Sequence, residues 1–413
     1  MHRNLEFWNV KNAQPIHTSI NRKARKAMNT FEKDKKFVAP TYGRFPVEIV
    51  GGKGSILQGS DGKEYIDLGS GIAVNTFGCC DDEWVNAVKA QLDSFAHISN
   101  LYYTSPCADL AQMLCSRTGM KNVFFSNSGA EANECAIKAA RRYGALNKGE
   151  DYYTIITLEK SFHGRTHTTL AATGQESFHK DFLPLTPGFV HTPPNDIEAL
   201  KNAVNNNKCC AIMMEIVQGE GGVCSLDGEF ITEAEKLCRE ENLILIIDEV
   251  QAGNGRTGKL YAYMHYGITP DVVTTAKGIG GGLPLGVTML GERVKDIFMP
   301  GLNGSTFGGN PVCCSGAISI LSRLTDEFLE EVTKKGELIR NTLSGIDGIE
   351  SVSGLGLMIG IKTVKEAKEV VSKCIENGVL VLTAKDKVRL LPPLNIETQL
   401  LEKALEVIKE ACK

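Results

Sequence analysis

Between Asn122 and Thr275, short unbroken apolar runs alternate with Gly-rich or polar loops and then with stretches whose apolar residues recur at helical spacing. That rhythm predicts βα units. The runs Asn122 to Ser126, Tyr153 to Leu158, Cys209 to Val217, Leu243 to Ile247 and Asp271 to Thr275 read as strands. Being apolar on both faces, they suit a buried, largely parallel sheet. Glu131 to Ala145, Ile197 to Asn205 and Thr232 to Glu240 read as the intervening helices. From Pro311 the pattern turns to amphipathic helices over Ala317 to Leu324 and Glu327 to Leu343, short strands around Gly348 to Thr363, a helix near Val364 to Asn377 and a closing helix after Glu397. Before Gly78, turn signals at Gly51, Gly52 and Gly54 and at Asp61 and Gly62 frame alternating strands around Ser55 to Leu68. The expected organisation is α/β: an N-terminal segment (1–78) packing on a small domain, a large domain (79–304) and a smaller α+β domain (305–413).

Composition narrows the class. A chain of 413 residues with 42% hydrophobic and 23% charged residues is long enough for two globular domains and ordinary for a folded protein. A net charge of −4 offers no basic field, so nucleic acid is not the expected partner and small molecules are. The thirteen cysteines contain no CxxC spacing and several sit inside apolar runs, which predicts reduced, mostly buried thiols in a cytoplasmic protein. No stretch reaches the roughly 18 consecutive apolar residues of a membrane span, and the start lacks the apolar core of a signal peptide. The basic segment Asn21 to Lys36 reads as a solvated helix rather than a targeting signal.

The chemistry follows the strands. In open α/β sheets, ligands bind beyond the carboxyl ends of the strands, so clusters that follow successive runs should meet in one crevice. After Asn122 to Ser126, the residues Ser128 and Glu131 have capping-box spacing, and Gly129 and Ala130 leave the first helix amides open. A phosphate could dock there, though capping alone accounts for the spacing equally well. Leu243 to Ile247 ends in Asp248 and Glu249; a buried carboxylate needs a partner, and a protonated pyridine nitrogen, a metal or a structural cap would each serve. No His-rich set accompanies it, so no metal is expected. Lys277, held between Asp271 to Thr275 and the glycines at 278 and 280–282, sits where desolvation favours the free amine needed for imine formation. Two more loops contribute Phe162 as a flat face, Arg165 as a carboxylate fork and Glu220 as a partner for an arginine. His163 is read as packed and loop-bracing, since Lys277 already provides a proton carrier.

With these residues in view, the chain resembles the class III (ω-amino) aminotransferases of the fold type I pyridoxal-phosphate superfamily, and within them the acetylornithine group. The likeness runs from about Thr41 to the C-terminus. It is carried by DGKEYIDLGSGIAVN (Asp61–Asn75), NLYYTSP (Asn100–Pro106), FFSNSGAEANE (Phe124–Glu134), SFHGRT (Ser161–Thr166), VQGEGGV (Val217–Val223), IIDEVQAGNGRTG (Ile246–Gly258), DVVTTAKGIGGGLPLG (Asp271–Gly286), STFGGNP (Ser305–Pro311) and VRLLPPL (Val388–Leu394). The resemblance implies pyridoxal 5'-phosphate as cofactor, Lys277 as its Schiff-base lysine and Asp248 as the partner of the ring nitrogen. It implies further that Phe162 and Val250 cover the two ring faces and Gln251 bonds the ring 3′ oxygen. Ser128, Gly129 and Ala130 would hold the phosphate, with Thr306 reaching across from the second subunit of a homodimer. For substrate, it implies Arg165 with nearby Ser305 for the distal carboxylate region of acetylornithine or the side-chain carboxylate of 2-oxoglutarate. Arg389 would take the α-carboxylate of glutamate, masked by Glu220 when the amine donor is bound.

The implied reaction is transamination from N-acetylornithine to 2-oxoglutarate. Ornithine, succinylornithine and 4-aminobutyrate are rival donors, and an aminomutase on the same scaffold is a rival reaction. Ile72 stands where the ornithine enzymes carry a tyrosine, which favours an acylated amine. Three departures from the family pattern loosen the substrate and leave the reaction class: Cys79 and Cys80 follow Gly78 in place of the usual His, Asn303 replaces a His, and Ile216 replaces a Pro.

Overall fold

A computed structural model describes residues 28–413. The described residues before Ile49 belong to a separate unit and include one helix, Thr30–Phe37, that buries no side chain. Its Asn29 and Glu32 form a reciprocal cap at 2.8 and 3.0 Å. This matches the solvated helix expected for the end of the basic segment; residues 21–27 of that segment lie outside the described residues. From Ile49 to Lys413 the chain is one compact unit.

At its centre is a seven-stranded mixed sheet. We number its strands β1 (Asn122–Ser126), β2 (Thr154–Leu158), β3 (Phe189–Thr192), β4 (Cys209–Met214), β5 (Ile244–Asp248), β6 (Val272–Thr275) and β7 (Gly286–Leu290). Their order is β1-β7-β6-β5-β4-β2-β3. The pairs β6/β5, β5/β4, β4/β2 and β2/β3 are parallel, and β7 runs antiparallel to both its neighbours. The inner strands β4, β5, β6 and β7 are buried along their whole length. Helices on either side explain why: the helix Gly129–Asn147 lays its Ala-rich face (Ala136, Ala139, Ala140) on Met213, Ile244, Ile246 and Val272. Small side chains let this helix approach the sheet closely. At Gly144 the approach is closest, since a Cβ there would lie 2.1 Å from the Tyr152 carbonyl oxygen.

Two smaller sheets frame one end. Ile49–Lys53, Ile56–Gly59 and Glu64–Asp67 form an antiparallel meander that takes Val379–Leu380 as a parallel fourth strand, so the two ends of this unit share one sheet. Gly52 lies within its first strand, where the sequence reads only a turn; its Cβ would sit 2.7 Å from the Ile56 carbonyl oxygen, so the glycine serves a close strand approach. The second sheet has the order Ile349–Leu355, Met358–Thr363, Lys387–Leu390, Leu382–Ala384, and pairs Arg389 with Gly360 on one side and Leu382 on the other.

The expected run Cys209 to Val217 is shorter than read: it ends at Met214, and after Glu215 and Ile216 the pair Val217–Gln218 joins Cys224–Ser225 in a two-stranded ribbon. A buried carboxylate at 215 that bonds outside the ladder ends the strand. Strands β3 and β7 and the helices Asp82–Ser94 and Ser105–Thr118 are absent from the sequence reading; the first of those helices buries no residue and the second buries two.

All thirteen cysteines are unpaired and eight of them are buried. Among the described residues no helix is long and apolar enough to cross a membrane, and no cluster of three or more His, Cys, Asp or Glu side chains is arranged to hold a metal.

The sheet core predicts its own sensitivity. Met213, fully buried on β4 against the Ala-rich helix, should lose about 2–5 kcal/mol of stability when replaced by alanine. Urea unfolding of Met213→Ala against the parent measures this.

Candidate active site

The carboxyl ends of β1, β2, β4, β5 and β6 all open toward one cavity of about 480 Å³. β1 leads through Asn127 to Ser128, the N-cap of helix Gly129–Asn147. Ser128 Oγ accepts the Glu131 N–H at 3.2 Å and donates to Glu131 Oε2 at 2.9 Å, while the Asn127 N–H donates to the same carboxylate at 3.0 Å. The capping spacing is therefore realised, and the first amides, at Gly129 and Ala130, are left facing the cavity. Gly129 has no room for a side chain: a Cβ would lie 2.6 Å from Val250 Cγ1.

β5 ends in two carboxylates with opposite fates. Asp248 lines the cavity and is solvated by the protein: Oδ2 accepts Asn133 Nδ2 at 2.7 Å and lies 2.8 Å from His163 Nδ1, and Oδ1 accepts the Val250 N–H at 2.9 Å. Asn133 is fixed in turn, its Oδ1 accepting from Thr274 Oγ1 at 2.7 Å and its Nδ2 also donating to the His163 carbonyl at 2.8 Å. Glu249 is buried away from the cavity, with Oε1 accepting the Tyr263 N–H at 2.8 Å and Oε2 unpartnered. Burial pushes its carboxyl up to about 8, against the pull of the Ala262 and Tyr263 amides, with Asp248 adding to the rise.

β6 leads to Lys277, which has a left-handed φ of 50°. A lysine there is strained and persists only if its neighbours hold it. They do: Asn254 Nδ2 donates to Thr275 Oγ1 at 2.9 Å and to the Ala276 carbonyl at 3.1 Å, and Thr76 Oγ1 donates to the Gly278 carbonyl at 2.7 Å. Burial lowers the Lys277 amine below the ordinary lysine range; Glu220, Asp248 and Glu215 oppose this, and Arg389 adds to it.

The loop after β2 places Phe162 and Arg165 on the cavity wall, and its Phe162 N–H donates to Glu215 Oε1 at 2.9 Å. Burial first, then Asp248, raises the Glu215 carboxyl well above the usual range. Gln251 also lines the cavity and connects it to the second small sheet: its Oε1 accepts Arg389 Nη1 at 3.1 Å, and the same Nη1 donates to Glu220 Oε1 at 2.6 Å. Burial alone would raise the Glu220 carboxyl, but the Arg389 charge and hydrogen bond, helped by Lys277, hold it below the ordinary value. Arg389 Nε is buried without a partner.

The structure thus gathers Ser128, Gly129, Ala130, Phe162, Arg165, Asp248, Val250, Gln251 and Lys277 around one space, with Glu220 and Arg389 bonded to its edge. Ser305 and Thr306 do not line it. Ser305 Oγ is 3.2 Å from Asn127 Nδ2 and accepts the Gly308 N–H at 2.9 Å, and Thr306 is exposed. Among the lining residues not assigned to the site from the sequence are Asn133, Glu215 and His163. Asn133 lies in the quoted motif one helical turn past the cap, Glu215 precedes the quoted loop, and His163 was read as packed; it is packed, but against Asp248.

The family model for aminotransferase class-III matches residues 37–412 of this chain. The chain belongs to that family. Among its relatives, the acetylornithine aminotransferase of Haemophilus ducreyi is 48% identical over 379 residues, covering 91% of this chain and 96% of that one. The acetylornithine aminotransferase of Methanocaldococcus jannaschii is 42% identical over 388 residues, covering 92% and 97%. Among solved structures, the ornithine aminotransferase of Toxoplasma gondii superposes with a TM-score of 0.89 at 30% identity, covering 92% of this chain and 94% of that one. The N-acetylornithine aminotransferase of Stenotrophomonas maltophilia gives 0.79 at 32% identity, covering 90% and 96%. The fold expected from the resemblance, fold type I, is the fold observed.

Class III aminotransferases use pyridoxal phosphate, and it is the cofactor of this enzyme. The cavity suits it: a buried amine sits at one edge, a protein-solvated carboxylate at another, open helix amides at a third, and a glycine at 129 where any side chain would collide with Val250.

Glu249 gives the site a pH signature in stability. Its folded carboxyl binds a proton up to about pH 8, while the unfolded one releases it in the ordinary glutamate range, about 4.3. The folded state therefore holds more protons across that window, and stability falls as pH rises through it, by at most roughly 1.4 kcal/mol per pH unit. Glu249→Gln should flatten this decline, as chemical unfolding at pH 5, 6, 7 and 8 will register; a parallel decline in the variant assigns it elsewhere.

Proposed function

We propose that this class III aminotransferase transfers the terminal amino group of N-acetylornithine to 2-oxoglutarate, releasing N-acetylglutamate 5-semialdehyde and glutamate. The observation that carries the reading is the pairing of Arg389 with Glu220 at 2.6 Å at the edge of a cavity whose wall holds Arg165, which has no carboxylate partner among the described residues. One masked arginine beside one free arginine suits two substrates of different shape that take turns in one pocket. The names of the relatives support the same donor, as does the aliphatic Ile72.

When bound, pyridoxal phosphate supplies an aldehyde for the amine and a ring that accepts the electron pair left on the substrate carbon. Lys277, whose amine burial lowers below the ordinary lysine range, is the residue that would hold the cofactor. The same amine, once released, would be the base that takes a proton from the substrate carbon. Asp248 would keep the ring nitrogen protonated, and Asn133 and His163 hold that carboxylate in place. Gly129 and Ala130 would offer amides to the phosphate, with Ser128 capping the helix that carries them, and Gln251 would bond the ring 3′ oxygen. Phe162 and Val250 would cover the ring and keep water from it. Arg165 receives the distal carboxylate of either substrate. For glutamate, Glu220 withdraws and Arg389 takes the α-carboxylate.

Thr306 would complete the phosphate site of a second subunit, so the active form is a homodimer. The surface near it supports this: Leu101, Tyr102, Tyr103 and Phe307 are all exposed, and Asn100 Nδ2 ties the two segments together through the Ser305 and Gly308 carbonyls, each at 2.9 Å. The unpaired cysteines support a reducing, cytoplasmic compartment.

Lys277→Ala should cut turnover on the order of a thousandfold or more and remove the visible absorption band of the bound cofactor. Initial rates on N-acetylornithine, N-succinylornithine, ornithine and 4-aminobutyrate, with glutamate formation as the readout, should rank N-acetylornithine first; a faster rate on free ornithine overturns the assignment. Glu220→Gln should unmask Arg389 and lower the KM for glutamate about tenfold, the worth of one hydrogen bond to a charged group. An unchanged KM would mean that Arg389 is not the α-carboxylate receptor.

A further inference from the structure

The Arg165 side chain is held in an unusual way. It is exposed at the cavity wall, and among the described residues no carboxylate anchors it. Its guanidinium carbon lies instead 4.2 Å from the ring centroid of Phe178 and 5.4 Å from that of Phe162. The two rings meet nearly edge to face, at 5.9 Å and 74°. A guanidinium laid on aromatic faces is attracted by them while its in-plane N–H donors stay free for a carboxylate. An unsupported arginine would lose its rotamer freedom only when substrate arrives, at a cost in affinity.

We infer that Phe178 is a positioning residue that holds Arg165 ready for the substrate carboxylate and so sets the preference for carboxylate-bearing amines. The inference rests on the role proposed above for Arg165. Phe178 is the nearer of the two rings, and Phe162 already has the cofactor to cover. It is also a fixed platform. It lies in the short helix Glu176–His179, whose preceding residue Gln175 donates its side-chain amide to the Lys160 and Ser161 carbonyls at 3.3 and 3.0 Å and accepts the Phe178 N–H at 3.0 Å. At the other end, His179 Nε2 lies 2.9 Å from the Leu170 carbonyl oxygen. The segment that carries the ring is thus tied to the same loop that carries Arg165.

The test uses the holoenzyme and two amines that differ only in the carboxylate: N-acetylornithine and N-acetyl-1,4-diaminobutane. The rate of the first half-reaction is followed in the stopped-flow as the cofactor band changes. Phe178→Leu keeps most of the volume and removes the ring. It should raise the half-saturating concentration of N-acetylornithine about two- to fivefold, with the maximal rate unchanged, and leave N-acetyl-1,4-diaminobutane unaffected. Phe178→Tyr should restore the parent value. Adding Phe178→Leu to Arg165→Ala should change nothing further. An equal loss on both amines would mark Phe178 as a packing residue and overturn the inference, as would no loss on either. If Arg165→Ala itself leaves the preference between the two amines intact, the role of Arg165 fails first and the inference goes with it; if Arg165→Ala abolishes the preference and Phe178→Leu does not alter it, only the inference on Phe178 fails.

Discussion

A carboxylate at the end of a buried strand has to be solvated by protein, and the site is built around the solution found for Asp248. Its two oxygens are met by an amide from the helix after β1, an imidazole from the loop after β2 and the backbone of its own turn. The partners come from different βα units, so the carboxylate is held only when those units are in register. Asn133 extends the coupling to β6 through Thr274, one strand over from β5. Removing one partner would leave a buried charge short of donors, which costs more than the net worth of the bond itself.

The second requirement is to bring a group from the far end of the chain to this cavity. Arg389 arrives on a strand of the second small sheet, between Gly360 and Leu382. The loop after β5 is tied to that part of the molecule by Arg256, whose Nη1 donates to the Pro392 carbonyl at 2.5 Å and the Leu357 carbonyl at 3.2 Å. Burial depresses the Arg256 guanidinium to about 9, with Asp67 opposing. Asp67 also accepts the Gly69 and Ser70 amides, each at 2.8 Å, so this buried carboxylate organises the entry loop while Arg256 secures the return of the C-terminal strands. Glu220 and Gln251 then meet Arg389 from two other loops. Position along the chain is irrelevant to this meeting; the sheet register fixes it.

What was legible in the sequence follows from which signals are local. Strands β1, β2, β5 and β6 declare themselves because burial on both faces demands continuous apolar runs, and the residues beyond their ends are then placed by topology. β7 escapes because GVTML follows directly on a glycine-rich loop that masks its start. The helix Asp82–Ser94 has a narrow apolar stripe, Trp84, Val88 and Leu92, none of it fully buried, and the sequence reading passes over it. In the site, Lys277 and Asp248 stand out by their setting at strand ends, whereas Asn133 contacts a carboxylate 115 residues away, which no local pattern encodes. Glu215 is hidden in a run whose apolar residues resume at Ile216 and Val217, so only the break in the ladder exposes it.

Strain gathers at the same place. Ser70, Gly71, Ile72 and Ala73 all have positive φ, at 47°, 62°, 65° and 61°, a left-handed turn that L-residues adopt only at a cost. Lys277 at 50° adds another such position. Buried hydrogen bonds flank both segments: Ser70 Oγ donates to the Leu391 carbonyl at 2.5 Å, and Thr76 Oγ1 reaches the Gly278 carbonyl. These bonds join the entry turn to the C-terminal strands and to the lysine loop, so the turn, the loop and the Arg389 strand are held by one another rather than by local propensity. Such an arrangement relaxes only if several contacts break together. It therefore keeps the lysine and the arginine in fixed relation to the sheet ends while leaving Glu220, partly exposed and bonded through one oxygen, as the member best able to move.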